Sequence, residues 1–200
     1  LTVKLLVATR NPGKLREIRS LLAPSGVEAV GLDEAAPGVE VIEDGKTFLE
    51  NALKKARTLH AATGLPVLAD DSGLAVRALG GRPGVRSARY AGEGADDAAN
   101  NRKLLREMDG LPAGRRGASF VCAMVFLGLD GREESAQGDL PGRILEEGRG
   151  EGGFGYDPLF APEGEERSLA EMTLEEKNRL SHRSRALAAL LPRVVTALLK

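Results

Sequence analysis

Two adjacent acids, Asp70 and Asp71, close an apolar run at residues 66–69 and are followed by Ser72 and Gly73. The run reads as a buried strand that stops at the acids. Burying an isolated carboxylate is costly, so the two cannot both sit unpaired in a core. At least one is expected to point into a cleft, where a metal ion or a substrate would partner it. Asp-Asp-Ser-Gly is also good turn chemistry, so on this stretch alone a plain turn stands beside the functional reading.

Three further groups carry chemistry. Thr9, Asn11 and Lys14 fall where an apolar run gives way to a helical stripe. Such a junction gathers backbone N–H groups and the positive end of a helix dipole, and Lys14 adds a full charge, which together suit an anion. The loop lacks GxxxxGK[ST], so it is not a Walker P-loop, and a generic strand-to-helix turn is the bland alternative. Phe154 lies among Gly152, Gly153 and Gly155, with Asp157 following. That is a loop presenting an aromatic face for stacking on a nucleobase, unless the ring tucks into the core. Lys177, His182, Arg183 and Arg185 form a donor-rich segment whose default reading is a solvated face.

The elements that must position these groups follow from periodicity. Residues 3–9 (VKLLVAT) form a near-continuous apolar run, the pattern of a strand covered on both faces. Leu15, Ile18, Leu21 and Leu22 stripe a helix over residues 14–22, and residues 28–32 suit a second strand. Thr47 with Glu50 makes a capping box for a helix running to about Thr63, with Phe48, Ala52, Ala56 and Leu59 on one face. Glu50 and Lys54, like Asn51 and Lys55, are spaced as i,i+4 partners. Capping explains Glu50 without catalysis, and Glu43 reads by itself as a solvated loop acid. Residues 95–108 suggest a helix with Ala98, Leu104, Leu105 and Met108 inward. A long strand at 118–129 is followed by Asp130-Gly131, a hairpin signal, and a return strand near 133–140, after which residues 138–142 read as a turn. Residues 186–199 are helical, with Pro192 expected to kink or divide them.

Composition excludes several classes. With 28 basic and 29 acidic residues the net charge is −1, which leaves no footprint for non-specific nucleic-acid binding. The one cysteine, Cys122, lies in an apolar run and reads as a small core residue, so neither a disulfide framework nor a cysteine metal site is expected. No apolar run approaches membrane-spanning length, and residues 1–8 are too short for a signal peptide, so no membrane partner and a cytoplasmic location are expected. Scarce amides, with a single Gln at position 137, and an excess of Arg over Lys fit a heat-adapted source or a biased genome. No linker divides the 200 residues.

Five stretches, ATRNPGK, TFLENALKKA, ADDSGLAVRALGGRPGVRSARYAG, GGFGYDPLF and SHRSRAL, span roughly residues 8–187. In content and order they resemble the non-canonical purine nucleoside triphosphate pyrophosphatases, also called inosine/xanthosine triphosphate pyrophosphatases. The resemblance implies a single α/β domain over residues 1–200, with a long mixed sheet, flanking helices and two lobes around a central substrate cleft. It implies hydrolysis of ITP, dITP and XTP to the monophosphate and pyrophosphate with Mg²⁺, in a homodimer. By the same resemblance, Thr9, Arg10, Asn11, Pro12, Gly13 and Lys14 correspond to the triphosphate loop and Lys55 to a phosphate contact. Asp71 corresponds to the catalytic base and metal ligand, and Ser72 to a substrate contact. Phe154, Gly155, Tyr156, Asp157, Lys177, His182 and Arg183 correspond to the base pocket. Glu43 is the acid assigned with Asp71 to the metal, with Asp44, Glu50 and Asp70 as competitors. Arg10, where small residues are common in the family, and Ser184, where Gly is expected, depart from the pattern. Other readings are a related pyrophosphatase acting on modified pyrimidines or other purines, and a non-catalytic nucleotide-sensing or RNA-binding module.

Overall fold

The computed structural model describes residues 4–198; Val3 and Leu199, at the outer ends of the expected first strand and last helix, lie outside them. The strands are β1 (Lys4–Val7), β2 (Glu28–Gly31), β3 (Val67–Val76), β4 (Gly117–Leu127), β5 (Glu133–Ile144) and β6 (Phe160–Pro162). The helices are α1 (Pro12–Leu22), α2 (Leu32–Ala35), α3 (Phe48–Thr63), α4 (Asp97–Glu107), α5 (Leu174–Leu180) and α6 (His182–Leu198). The strands form one mixed sheet in the order β2-β1-β3-β4-β5-β6. It is parallel where β1 meets β2 and β3, and antiparallel where β5 meets β6.

The chain divides into two compact units. The first comprises residues 1–71, 122–138 and 183–200; the second comprises 72–121 and 139–182. Alternation along the strands gives the first unit a core on each face of its sheet. Leu5, Val7 and Leu68 face one way and pack with Ile18 and Leu22 of α1 and Ala186, Leu187 and Leu190 of α6. Leu6, Ala8, Val67 and Ala69 face the other way and pack with Ala52, Ala56 and Leu59 of α3. This double covering is why residues 5–8 are uniformly apolar. The second unit has one core, in which Leu74, Val76, Phe120, Leu140 and Ile144 meet Leu104 of α4, its C-cap Met108, and Tyr156, Leu159 and Phe160.

Several sequence expectations are corrected. β3 does not stop at the acids but continues through Asp70-Asp71-Ser72-Gly73 to Val76, which excludes the turn reading. β5 likewise runs through residues 138–142 to Ile144. Gly142 serves close strand approach there: a Cβ would lie 2.3 Å from the Ala161 carbonyl oxygen of β6. α6 passes Pro192 as a single helix. Ala98 is exposed on α4, and Asn100 turns inward in its place, accepting from the Ala91 N–H.

Candidate active site

The period of two in β3 separates the adjacent acids. Asp70 follows Leu68 onto the face of α1 and α6, whereas Asp71 follows Val67 and Ala69 onto the face of α3. Both are buried, Asp70 at 1% and Asp71 at 7% exposure, and both are charge-paired within the first unit. Each face supplies cations, so neither acid is buried unpaired.

On the first face, Lys14 Nζ lies 3.0 Å from Asp70 Oδ2. Arg183, 1% exposed, reaches the same oxygen at 3.4 Å and donates to Glu17, which is 2% exposed. Burial alone would raise the Asp70 pKa, but Lys14 and Arg183 hold it far below the usual carboxylate range. The resemblance puts Arg183 in the base pocket; its guanidinium instead bridges Glu17 and Asp70. Asp70 thus anchors Lys14. The loop before α1 is held locally: Asn11 Oδ1 accepts from Lys14 N–H at 3.1 Å as the N-cap, and Thr9 Oγ1 accepts from Asn11 N–H. Pro12 and Gly13 open the helix. Arg10 turns away, to Asp33 and the carbonyls of Pro37 and Val39, so its side chain ties down the loop ahead of Glu43 rather than the expected phosphate.

On the second face, Asn51 Nδ2 donates to Asp71 Oδ2 at 2.9 Å. Asn51 Oδ1 accepts from Gly45 N–H at 2.8 Å, fixing the loop two residues after Glu43. Lys55 Nζ sits 3.3 Å from Glu43 Oε2 and 4.0 Å from Asp71 Oδ1. Burial raises the Asp71 pKa, opposed by Lys55, Lys14 and the Asn51 hydrogen bond. The expected helix pairs are replaced: Lys54 pairs with Asp44 at 2.6 Å, and Glu50 accepts from Lys46 N–H while its own N–H donates to Thr47. Asp44 and Glu50 are therefore engaged elsewhere, and Glu43 and Asp71 are the acids that share one ammonium. Among the described residues no three His, Cys, Asp or Glu side chains converge. Two carboxylates suit Mg²⁺, which takes one or two from protein and the rest from phosphate and water.

The second unit gathers the remaining candidates. Ser72 is half-buried in β3. Asp157 Oδ2 accepts from Phe154 N–H at 2.9 Å and from Lys177 Nζ at 2.5 Å. Lys177 Nζ also lies 4.5 Å from the half-buried Phe154 ring centroid. Tyr156 is buried and donates to the Ser87 carbonyl. His182 is 4% exposed and stacks on Phe120 at 4.9 Å with a 10° interplanar angle. Phe154, Asp157 and Lys177 are thus one contact set rather than a glycine loop and a distant solvated face. Arg185 is exposed.

Asn51 and Glu17 were not singled out as functional from the sequence. Their signals are legible: Asn51 precedes Lys55 by one helical turn, and Glu17 adjoins Ile18 in the apolar stripe of α1.

The model of the Ham1 family matches residues 5–193. A dITP/XTP pyrophosphatase of Symbiobacterium thermophilum is 54% identical over 96% of this chain and 94% of its own. One of Geobacter sulfurreducens is 52% identical over 94% of both. The solved structure of a HAM1 protein from Coxiella burnetii superposes with a TM-score of 0.86 at 38% identity, covering 98% of this chain and 100% of that one.

Proposed function

Since the chain belongs to the Ham1 family, we propose that it hydrolyses non-canonical purine nucleoside triphosphates (ITP, dITP and XTP) to the monophosphate and pyrophosphate, removing them from the nucleotide pool. The observation that carries this reading is Asp71, a buried carboxylate with a raised pKa, oriented by Asn51 and sharing Lys55 with Glu43. A nucleoside triphosphate has an anionic part and a purine part, and this chain carries residues suited to each. The triphosphate is the ligand of Lys14, Lys55 and the residues 9–13 loop, with Ser72 as a further contact, and the purine is the ligand of Phe154–Asp157, Lys177 and His182.

A triphosphate brings about four negative charges near pH 7, which Lys14 and Lys55 offset in part. Mg²⁺, held by Asp71 and Glu43, would neutralise more of that charge and lower the pKa of a bound water. Asp71 accepts a proton from water as its oxygen attacks the α-phosphorus. The bond from the α-phosphorus to the α,β-bridging oxygen breaks, and pyrophosphate leaves with that oxygen. The raised pKa makes the carboxylate a better proton acceptor than an exposed aspartate. Asn51 holds one carboxylate oxygen and leaves Asp71 oriented for this transfer.

For the base, hypoxanthine and xanthine carry a 6-keto acceptor where adenine carries an amino donor. Lys177 is a donor beside the Phe154 face, so it favours the keto purines and opposes the amino group of adenine. Among the described residues no helix is long and apolar enough to cross a membrane. The family resemblance supports a homodimer working in the cytoplasm on a small nucleotide rather than a nucleic acid. Nothing in the comparisons favours a non-catalytic nucleotide-sensing or RNA-binding module.

Pyrophosphate release with Mg²⁺ across ITP, dITP, XTP, ATP, GTP and dTTP tests the reading. Preferred turnover of the first three is expected; equal turnover of all six, or of none, overturns it.

A further inference from the structure

Asp97 and Asn101 lie one turn apart on α4, and both grip the same residue of the Phe154 loop. Asp97 Oδ2 accepts from Gly155 N–H at 2.6 Å, and Asn101 Nδ2 donates to the Gly155 carbonyl oxygen at 3.0 Å. Both polar backbone groups of Gly155 are thus taken by one helix face. Gly155 has φ +62 and nothing within 4 Å of where a Cβ would sit, so its glycine serves backbone conformation and not space. The stretch ahead of it, with Gly150, Gly152 and Gly153, has little side chain to order it. On one side of the grip, the Phe154 N–H is tied to Asp157. On the other, the Tyr156 hydroxyl is tied to the Ser87 carbonyl.

We infer that Asp97 and Asn101 are positioning residues for purine recognition: a two-pronged clamp on Gly155 that holds the Phe154 ring ready for the base. This rests on the assignment of Phe154 and Lys177 to the purine. A glycine-rich loop left loose must be ordered on binding, and that cost falls on base affinity. The clamp meets it in the free protein. The contacts that hold Lys14, Lys55 and Asp71 run to Asp70, Glu43 and Asn51 and involve neither Asp97 nor Asn101, so the chemistry and the triphosphate contacts are expected to be unaffected.

The test is steady-state kinetics of the full chain on XTP and dITP, with inorganic tripolyphosphate as a competing ligand that has no base. In Asp97→Ala and Asn101→Ala, KM for both purines rises about tenfold, the scale of one hydrogen bond, with kcat within about twofold. The inhibition constant of tripolyphosphate is unchanged. The double variant is scarcely worse than either single one, because each prong fails without the other. Asp97→Asn, which keeps an acceptor for the Gly155 N–H, restores KM most of the way. Hydrogen exchange over residues 150–157 quickens in the alanine variants. Unchanged KM in an active enzyme overturns the clamp alone. Equal weakening of tripolyphosphate overturns it in favour of a general structural role. A wild-type chain that turns over neither purine refutes the underlying function, and the clamp with it.

Discussion

Replacing Arg183 by methionine keeps a long side chain but removes the guanidinium that joins Glu17 to Asp70. All three groups are at most 2% exposed, so water cannot take over the lost contacts without opening the core. Asp70 keeps Lys14 at 3.0 Å, while Glu17 loses its ion pair inside the α1–α6 packing. Removing one partner of a buried pair costs about 3–5 kcal/mol, which for a chain of this size lowers the unfolding midpoint by roughly 6–20 °C. The deficit depends on pH in a definite sense. The folded pKa of Asp70 lies below its unfolded value, so its stabilisation is complete above about pH 4 and fades as pH falls through the folded pKa. Losing Arg183 weakens that depression, so the gap between variant and wild type is widest near neutrality and narrows below about pH 4. Thermal and urea unfolding followed by circular dichroism at several pH values measure it. Adding Glu17→Gln recovers part of the loss by removing the stranded charge. A midpoint lowered by less than about 2 °C together with a raised purine KM would refute the bridge and return the guanidinium to the base.

Asp71→Asn should lower kcat by about 10²–10⁴-fold or more, since it removes the proton acceptor, with no loss in unfolding midpoint. Near-normal pyrophosphate release by a folded variant would reject the base assignment. In the wild type, Asp71 must be ionised to act and burial raises its pKa, so kcat/KM falls as pH drops through a value above the ordinary 3.8. A pH-rate profile with its acid limb at or below 3.8 would contradict this. Chelation by EDTA should abolish turnover, and added Mg²⁺ should restore it; activity that survives exhaustive chelation removes the metal from the account.

Much of the fold is written in local pattern. The strand covered on both faces at Leu5–Ala8, the Thr47 cap, the Asp130-Gly131 hairpin and the core role of Cys122 are all legible because each is carried by a local residue pattern. What misled was chemistry decided across the chain. Asp70 and Asp71 read as a strand end because their cations, Lys14, Lys55 and Arg183, come from distant segments. Strand alternation would have put them on opposite faces, and from that their different roles follow. The Gly138–Gly142 turn signals were overridden by the sheet, in which β5 lies between β4 and β6 and Gly142 pairs with Pro162. Lys54 and Lys55 were assigned helix neighbours, yet they bond to the loop acids Asp44 and Glu43. Motifs name the candidate residues; what each side chain does depends on partners that spacing alone does not show.

In the proposed reaction water attacks the α-phosphorus with Asp71 as proton acceptor. Turnover of ITP in ¹⁸O-labelled water, with both products analysed by mass spectrometry, tests it most directly. One labelled oxygen is expected in inosine monophosphate and none in pyrophosphate. Label in pyrophosphate, or release of orthophosphate with inosine diphosphate, would contradict it.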